Sequence, residues 1–232
     1  MKITAEISEK VELLEKKIKY VFKDKQLAAN ALIHSSYYNE HKKEAKSNER
    51  LEFLGDSVLS LMTCEYLYKN INENEGRLTK IKAALVCEES LFGFASKLSL
   101  GECLMLGKGE QAGGNIRKST LADAVEAVLG ALYLDGGMET AKLLIMPYIT
   151  DCIKTNASDG DYKTTLQEIV QKNRGDVLKY VITNEEGPAH DKRFVCHVFI
   201  NSNDMAEGSG RSKKEAEQDA AKSALKLMGV EL

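Results

Sequence analysis

The spacing of apolar residues changes character after Tyr148. Up to that point apolar residues recur mostly at i, i+3, i+4 and i+7, with little sustained alternation and with Pro147 as the only proline. This pattern predicts an entirely helical region. Later, the run from Phe194 to Ile200 is rich in β-branched and aromatic residues, which is typical of a strand. The chain is therefore expected to contain an all-α domain followed by a smaller mixed domain.

A short polar segment separates these two regions. It combines small and polar side chains over a length too short to fold, as linkers do. We therefore divide the chain into a helical domain, a linker and a second domain, at residues 1–154, 155–161 and 162–230. The second domain has helical spacing near both ends and strand-like runs between them. It is predicted to follow an α-β-β-β-α order if residues 205–207 supply the third strand.

Composition limits the possible partners and compartments. The formal charge of -3 gives no electrostatic reason for the whole chain to bind nucleic acid, so any basic surface must be local. The 5 cysteines are odd in number and lack C-x-x-C spacing, which disfavours a disulfide framework and a zinc site. The segment from Glu6 to Tyr20 has the pattern of an amphipathic helix and not of a signal peptide. We expect a cytoplasmic protein that does not insert into membranes.

The first of two acidic helices is predicted around residues 48–59. On a helix, three acids cluster roughly opposite an apolar stripe; the acids are Glu49, Glu52 and Asp56, and the stripe is Leu51, Leu54, Val58, Leu61 and Met62. Gly55 lies inside this helix at a cost of about 1 kcal/mol relative to alanine, which suggests that another element packs closely there.

The second acidic helix carries Asp123 and Glu126 at i, i+3. Both acids lie off a stripe formed by Val125, Val128, Leu129 and Leu132. A solvated helix face is the general interpretation of such acids. However, like charges one turn apart repel, and no lysine at i+4 offsets them in the second helix. Two helices supplying four carboxylates could instead hold a hard divalent cation against a phosphodiester.

The segment from Asn48 to Leu59 resembles the signature of the ribonuclease III family. Further segments resemble that family in the same order, at residues 31–37, 75–79, 107–114 and 121–123. The chain is similar to the bacterial form, which joins an all-α endonuclease domain to a small α-β-β-β-α double-stranded RNA-binding domain. The resemblance implies a hydrolase that cuts double-stranded RNA in rRNA and mRNA processing and leaves 5′-phosphate and 3′-hydroxyl ends.

The same resemblance implies roles for individual acids. Glu52, Asp123 and Glu126 would bind Mg²⁺, with Mn²⁺ as a possible substitute. Asp56 and Glu126 would be catalytic, with Asp56 positioning the attacking water that the metal activates. Glu49 and Glu75 would assist at the edge of the site. Spacing alone supports the cluster but does not separate a ligand from a water-positioning base.

Local positive charge is expected in the second domain, although from Thr155 onward it has 11 Lys+Arg against 13 Asp+Glu. Arg211, Lys213 and Lys214 fall where the last helix begins, and the helix dipole favours anions there. By resemblance, the first helix and the loop between the first two strands would contact RNA minor grooves. The matching residues are Thr164, Gln167, Glu168, Gln171 and His190.

Phe53 lies near the acidic face of its helix and not on the apolar stripe. We expect it to insert into a partner subunit of a homodimer, as the resemblance also implies, although it could instead fill the core of its own subunit.

Other features have less specific interpretations. His34 could contact RNA or metal, but a structural hydrogen bond is the commoner role. The glycine-rich residues 107–114 predict a flexible loop and not a nucleotide-binding loop, because no strand precedes them. Nearby Lys108, Arg117 and Lys118 could approach RNA phosphates or form a solvated charge run.

Two competing functions remain open at this stage. A non-catalytic RNA-binding scaffold would have no chemical reason to keep all four acids. A hydrolase of small phosphoesters would leave the second domain without a role. Mg²⁺-dependent cleavage and competition between RNA duplex and small phosphoesters distinguish these functions.

Overall fold

The computed structural model describes residues 3–41, 46–112, 114–158, 162–173, 175–188 and 192–230. The chain divides into two compact units, Met1–Thr155 and Asn156–Leu232. Each unit has its own hydrophobic core. No helix in the described ranges is long and apolar enough to cross a membrane.

The first unit is helical throughout its described regular elements, as predicted, apart from a single bridge between Ile33 and Met105. Its elements are α1 (Ala5–Ile18), α2 (Lys25–Ala31), α3 (Ser35–Glu40), α4 (Glu49–Asn70), α5 (Glu75–Leu85), α6 (Glu88–Lys97), a 3-10 turn (Leu100–Cys103), α7 (Lys108–Ala112) and α8 (Lys118–Ser158). Gly137 breaks α8 with a φ of 81°, a value that glycine tolerates.

The boundary between the units differs in detail from the predicted linker. Helix α8 continues through Ser158, so the beginning of the segment predicted as linker is helical. Residues 159–161 lie outside the described residues.

The buried face of α4 is rotated relative to the predicted stripe. Leu51, Val58 and Met62 are buried as expected, but Leu61 is 58% exposed and Leu59 is fully buried in its place. The cause is that α8 packs on the flank of α4 at Gly55, next to Leu59 on the helical wheel. The prediction for Leu61 was therefore wrong, and the buried face turns towards the acidic residues.

The second unit has the predicted α-β-β-β-α order: α9 (Tyr162–Gln171), β1 (Leu178–Glu186), β2 (Arg193–Ile200), β3 (Asn203–Gly210) and α10 (Lys213–Leu227). The strands form an antiparallel sheet in the order β1-β2-β3, so residues 205–207 do supply the third strand. The core joins side chains of both helices, such as Leu166 and Ala220, to Cys196 and Val198 of the sheet.

Candidate active site

Helices α4 and α8 contact each other backbone to backbone. A Cβ atom added at Gly55 would stand 1.8 Å from the carbonyl oxygen of Glu126, and one added at Gly130 would stand 2.3 Å from the carbonyl oxygen of Leu51. Only residues without a side chain permit so close an approach. The prediction of close packing at Gly55 is confirmed, and the contact is with one of the predicted acids.

This contact brings the four predicted acids together. Glu52 and Asp56 flank Gly55 on α4, while Asp123 and Glu126 lie on the facing part of α8. Asp56 is exposed and the other three carboxylates are partly buried. Buried residues of α8 anchor the arrangement, because Val125, Val128, Leu129 and Leu132 all lie in the core, as predicted.

Electrostatic effects link these acids to one another. Burial, followed by repulsion from Asp56, Glu52 and Asp123, raises the pKa of Glu126 to about 7. Burial and repulsion from Asp123 and Glu49 raise the pKa of Glu52. Burial also raises the pKa of Asp123, together with Glu88, while His34 acts in the opposite direction. The cluster therefore carries more negative charge than the surrounding protein offsets.

The donor set suits a hard divalent cation. Within the described residues, no three His, Cys, Asp or Glu side chains converge closely enough to hold a metal ion as they stand. However, the four carboxylates supply the oxygen ligands that Mg²⁺ prefers, and the raised pKa values indicate charge that a cation would stabilise. The site therefore fits Mg²⁺ in its charge and in the chemistry of its donor atoms. Its side chains would have to move closer together to bind the ion.

The two auxiliary acids differ in their relation to this cluster. Glu49 accepts a hydrogen bond of 2.6 Å from the Ser47 hydroxyl and acts electrostatically on Glu52. Glu75 is the exposed first residue of α5, following its cap Asn74. None of the electrostatic effects on the three shifted carboxyls comes from Glu75. Of the two auxiliary acids, Glu49 is therefore the one that acts electrostatically on these three carboxyls.

Phe53 is 78% exposed, so it does not fill the core of its own subunit. Leu61 and Tyr68 are also largely exposed on α4. With Phe53 they fall at spacings of 8 and 15 residues, which places all three on one side of the helix. This exposed apolar stripe begins beside the acidic residues.

Two sequence features near the site take different forms from those predicted. The glycine-rich region was predicted as a loop, but residues 108–112 form α7, because the Lys108 N–H donates to Glu40 and the preceding glycine packs against α3. Gly113 lies outside the described residues. Lys118 pairs with Glu89 at 2.7 Å and Arg117 with Glu110 at 3.6 Å, so both cations have acidic partners in this structure.

In the second unit, the predicted cations are exposed at the start of α10. Arg211, Lys213 and Lys214 surround the cap Ser212, whose side chain accepts the N–H of Glu215. Sequence reasoning overlooked Glu215, which accepts the Arg211 N–H at 2.8 Å and adds a negative charge to the same turn. The positive charge there is therefore partly offset.

Sequence reasoning also overlooked Lys192. Its side chain hydrogen-bonds Glu185 and, together with Lys213, lowers the pKa of that carboxyl. Lys192 and Glu185 thus form an ion pair, and the effect of Lys213 on Glu185 places that pair near the start of α10. In the sequence, the position of Lys192 directly before the strand-like run that became β2 was the feature that could have drawn attention to it.

The predicted RNA-contacting residues of α9 share one face. They lie at i, i+3, i+4 and i+7, apart from the buried Leu166 and Val170, and all are at least partly exposed; they are Thr164, Gln167, Glu168 and Gln171. In the loop after β1, Gly187 has a φ of 95°. His190 lies outside the described residues.

Comparison with known proteins accounts for both units. The Ribonuclease-III-like family matches residues 24–153, and the double-stranded RNA binding motif matches residues 162–228. Ribonuclease 3 of Caldanaerobacter subterraneus subsp. tengcongensis is 50% identical, with 94% of this chain and 97% of that protein covered. Ribonuclease 3 of Geobacillus thermodenitrificans is 45% identical, with 94% and 91% covered.

A solved structure of a nuclease domain is also similar to this chain. The nuclease domain of ribonuclease III from Campylobacter jejuni is 43% identical, with a TM-score of 0.55, and covers 61% of this chain and 96% of its own. Together with the acidic site on α4 and α8, these matches identify both the catalytic and the RNA-binding domain. The chain therefore belongs to the ribonuclease III family of endoribonucleases, in the bacterial form that joins a nuclease domain to a double-stranded RNA binding motif.

Proposed function

We propose that this chain is a Mg²⁺-dependent endoribonuclease that hydrolyses double-stranded RNA at the four-carboxylate site of α4 and α8. The observation that supports this most is that burial, together with repulsion from Asp56, Glu52 and Asp123, raises the pKa of Glu126 to about 7. Strongly shifted pKa values of this kind are concentrated at functional sites, where the carboxylate binds a cation or takes part in proton transfer.

Burial and charge support the roles that the family resemblance implies for individual acids. Glu52, Asp123 and Glu126 are partly buried and would hold Mg²⁺, or Mn²⁺ in its place. When bound, the ion would lower the pKa of the attacking water and stabilise negative charge developing on the phosphate. Asp56 is exposed and would orient that water by accepting a hydrogen bond. Glu49 and Glu75 would assist at the edge of the site.

The second domain would hold the duplex. Arg211, Lys213 and Lys214 would contact phosphates, while the exposed face of α9 and the loop after β1, including His190, would contact the minor groove. Such contacts recognise the A-form shape and 2′-hydroxyls of RNA more than its sequence. The proposed products carry 5′-phosphate and 3′-hydroxyl ends, and the proposed roles are rRNA and mRNA processing in the cytoplasm.

The chain would act as a homodimer through its nuclease domain. Phe53 is 78% exposed beside the acidic cluster, and the Campylobacter jejuni relative is described as having a region involved in dimer formation of its nuclease domain. A two-fold axis would place two equivalent sites on opposite strands of one duplex. Sedimentation should show Phe53→Ala dissociating at concentrations where the wild type is dimeric. Leu227→Ala, at a residue 73% exposed in the other domain, is the control and should stay dimeric.

Cleavage of a long RNA duplex, with product ends mapped, tests the activity. The wild type should cut only with Mg²⁺, and Glu126→Gln or Asp56→Asn should lose at least about 10³-fold in rate while still binding duplex. Glu139→Gln, at an exposed acid elsewhere on α8, should leave cleavage unchanged. Duplex binding without any cleavage would indicate a scaffold, and preferential hydrolysis of small phosphoesters would indicate a different hydrolase.

A further inference from the structure

Lys163, in the first turn of α9, is held by two consecutive residues of α10. Its side-chain Nζ lies 2.7 Å from Oε2 of Glu217, and its backbone N–H donates to Oε1 of Gln218 at 3.1 Å. The first N–H groups of a helix have no partner within that helix, so the contact with Gln218 satisfies one of them. Both the backbone and the side chain of Lys163 therefore tie the start of α9 to α10.

The ammonium group of Lys163 also contacts the sheet. Its Nζ stands 4.6 Å from the ring centroid of Tyr180 on β1, within the range of a cation–π interaction. The side chains of Lys163 and Glu217 are only 33% and 26% exposed, so solvent screens their ion pair less than it screens a pair on the open surface. The pair therefore joins three elements of the second unit, α9, β1 and α10.

This ion pair lies between the two groups of residues proposed to contact RNA. On α9, Lys163 directly precedes Thr164, the first residue of the face proposed for the minor groove. On α10, Glu217 lies one turn after Lys213 and Lys214, the cations proposed to contact phosphates. Both groups can engage one duplex only at a defined separation, because A-form RNA presents its minor grooves and phosphates at regular intervals.

The side chain of Lys163 is directed towards α10 and β1 and not towards the proposed RNA-contacting face. On α9 it shares one side of the helix with the buried residues Leu166 and Val170, at i, i+3 and i+7. Its charge is paired with Glu217. Lys163 is therefore placed to act on RNA binding through its neighbours and not as a phosphate contact.

We infer that Lys163 is a positioning residue for duplex binding, which through Glu217 sets the separation between the RNA-contacting face of α9 and the start of α10. The inference rests on the proposed RNA contacts of these two helices. A preformed arrangement lowers the cost of binding, because the two groups of contacts need not be ordered when the RNA arrives. Loss of the ion pair should therefore weaken binding without removing a phosphate contact.

Lys163→Met and Glu217→Met each break the ion pair and keep a long side chain. Binding of full-length protein to an RNA duplex is measured without Mg²⁺, below the melting temperature of every variant. We expect each variant to bind about 5-fold more weakly, with an unchanged slope of log affinity against log salt. The exchanged pair, Lys163→Glu with Glu217→Lys, should return the affinity to within about 2-fold of the wild type.

Lys226→Met is the matched control, because it removes one positive charge from the exposed last turn of α10. It should bind the duplex like the wild type. A lower melting temperature with unchanged affinity in Lys163→Met and Glu217→Met would show a role in folding alone and overturn the inference. Tighter binding by Glu217→Met would also overturn it, because Glu217 would then act only by repelling RNA.

Two further outcomes separate this inference from the proposed function. A shallower salt slope in Lys163→Met would mean that Lys163 contacts a phosphate directly, which would overturn its positioning role and leave the proposed RNA-binding domain intact. If replacing Lys213 and Lys214 with alanine left affinity and slope unchanged, the proposed contacts of α10 would themselves be wrong, and this inference with them.

Discussion

In the nuclease domain, Gly55 and Gly130 let α4 and α8 touch backbone to backbone; in the RNA-binding domain, Gly208 and Gly210 let β3 touch α10 in the same way. The charges beside the two contacts differ. The nuclease contact partly buries carboxylates and raises their pKa, whereas the cations near Gly210 remain exposed. The charge of the proposed catalytic site depends on burial created by a tertiary contact, while the charge of the proposed RNA contacts depends mainly on where a helix begins.

The strongest test of this contrast is Gly55→Ala. The added Cβ would stand 1.8 Å from the backbone oxygen of Glu126, which cannot move as a flexible side chain does. We expect loss of all measurable cleavage and destabilisation of the nuclease domain by roughly 3 kcal/mol or more, measured by thermal unfolding. Gly76→Ala, whose nearest neighbour would be at 3.5 Å, should unfold like the wild type.

The corresponding change in the other domain should have a separable effect. Gly208→Ala would place Cβ 1.9 Å from the backbone nitrogen of Ala220 and should disrupt the RNA-binding domain alone. Cleavage at low salt should persist. An active and stable Gly55→Ala protein would contradict the idea that backbone contact creates the catalytic site.

Removing the RNA-binding domain should have the next largest effect. A chain ending at Ser158, where α8 ends, retains the complete core of the first unit. It should bind Mg²⁺ and cut duplex RNA at low salt, but lose about 10³-fold in cleavage rate at physiological salt, where weak phosphate contacts are screened. Equal cleavage by the short and full chains at physiological salt would mean that the second domain does not anchor the RNA.

A smaller effect is expected from replacing Lys213 and Lys214 together with alanine. Both are exposed at the start of α10, so their loss should remove two phosphate contacts without unfolding the domain. Duplex affinity should fall about 10- to 100-fold, and the slope of log affinity against log salt should become shallower by roughly one to two units. Lys226→Ala, in the last turn of the same helix, should keep the original slope.

The smallest expected effect concerns the pH dependence of Mg²⁺ binding. With a pKa of about 7, Glu126 is mostly protonated at pH 6 and mostly ionised at pH 8, so Mg²⁺ affinity should fall about 10-fold between pH 8 and pH 6. Calorimetry in buffers of different ionisation enthalpy should detect the proton released on binding. Affinity independent of pH over this range would contradict the assignment of Glu126 as a ligand.

The same raised pKa has a consequence for stability without Mg²⁺. Because the folded-state value of Glu126 exceeds the ordinary 4.5, its contribution is fully present below about pH 4.5 and is lost as the pH rises through about 7. Relative to Glu126→Gln, the wild type should therefore become less stable over that range. A pH scan of melting temperature for both proteins measures the difference.

Much of the molecule followed from local sequence patterns. Helical and strand-like spacing predicted the all-α unit and the α-β-β-β-α unit, and Gly55 indicated a close contact. Local patterns were less reliable where neighbouring elements decided the outcome. The glycine-rich segment became α7 because α3 packs against it, and Leu61 is exposed because α8 covers the flank of α4 on the side of Leu59.

The sequence by itself determined which residues carry charge and where each lies on its own helix. It placed Glu52 and Asp56 on one face, and Asp123 and Glu126 on another, because side-chain direction within a helix follows from residue number. Only the tertiary structure decided that these faces meet and become partly buried. Desolvation and repulsion between carboxylates depend on distances between helices remote in sequence, so the raised pKa of Glu126 arises from the contact at Gly55.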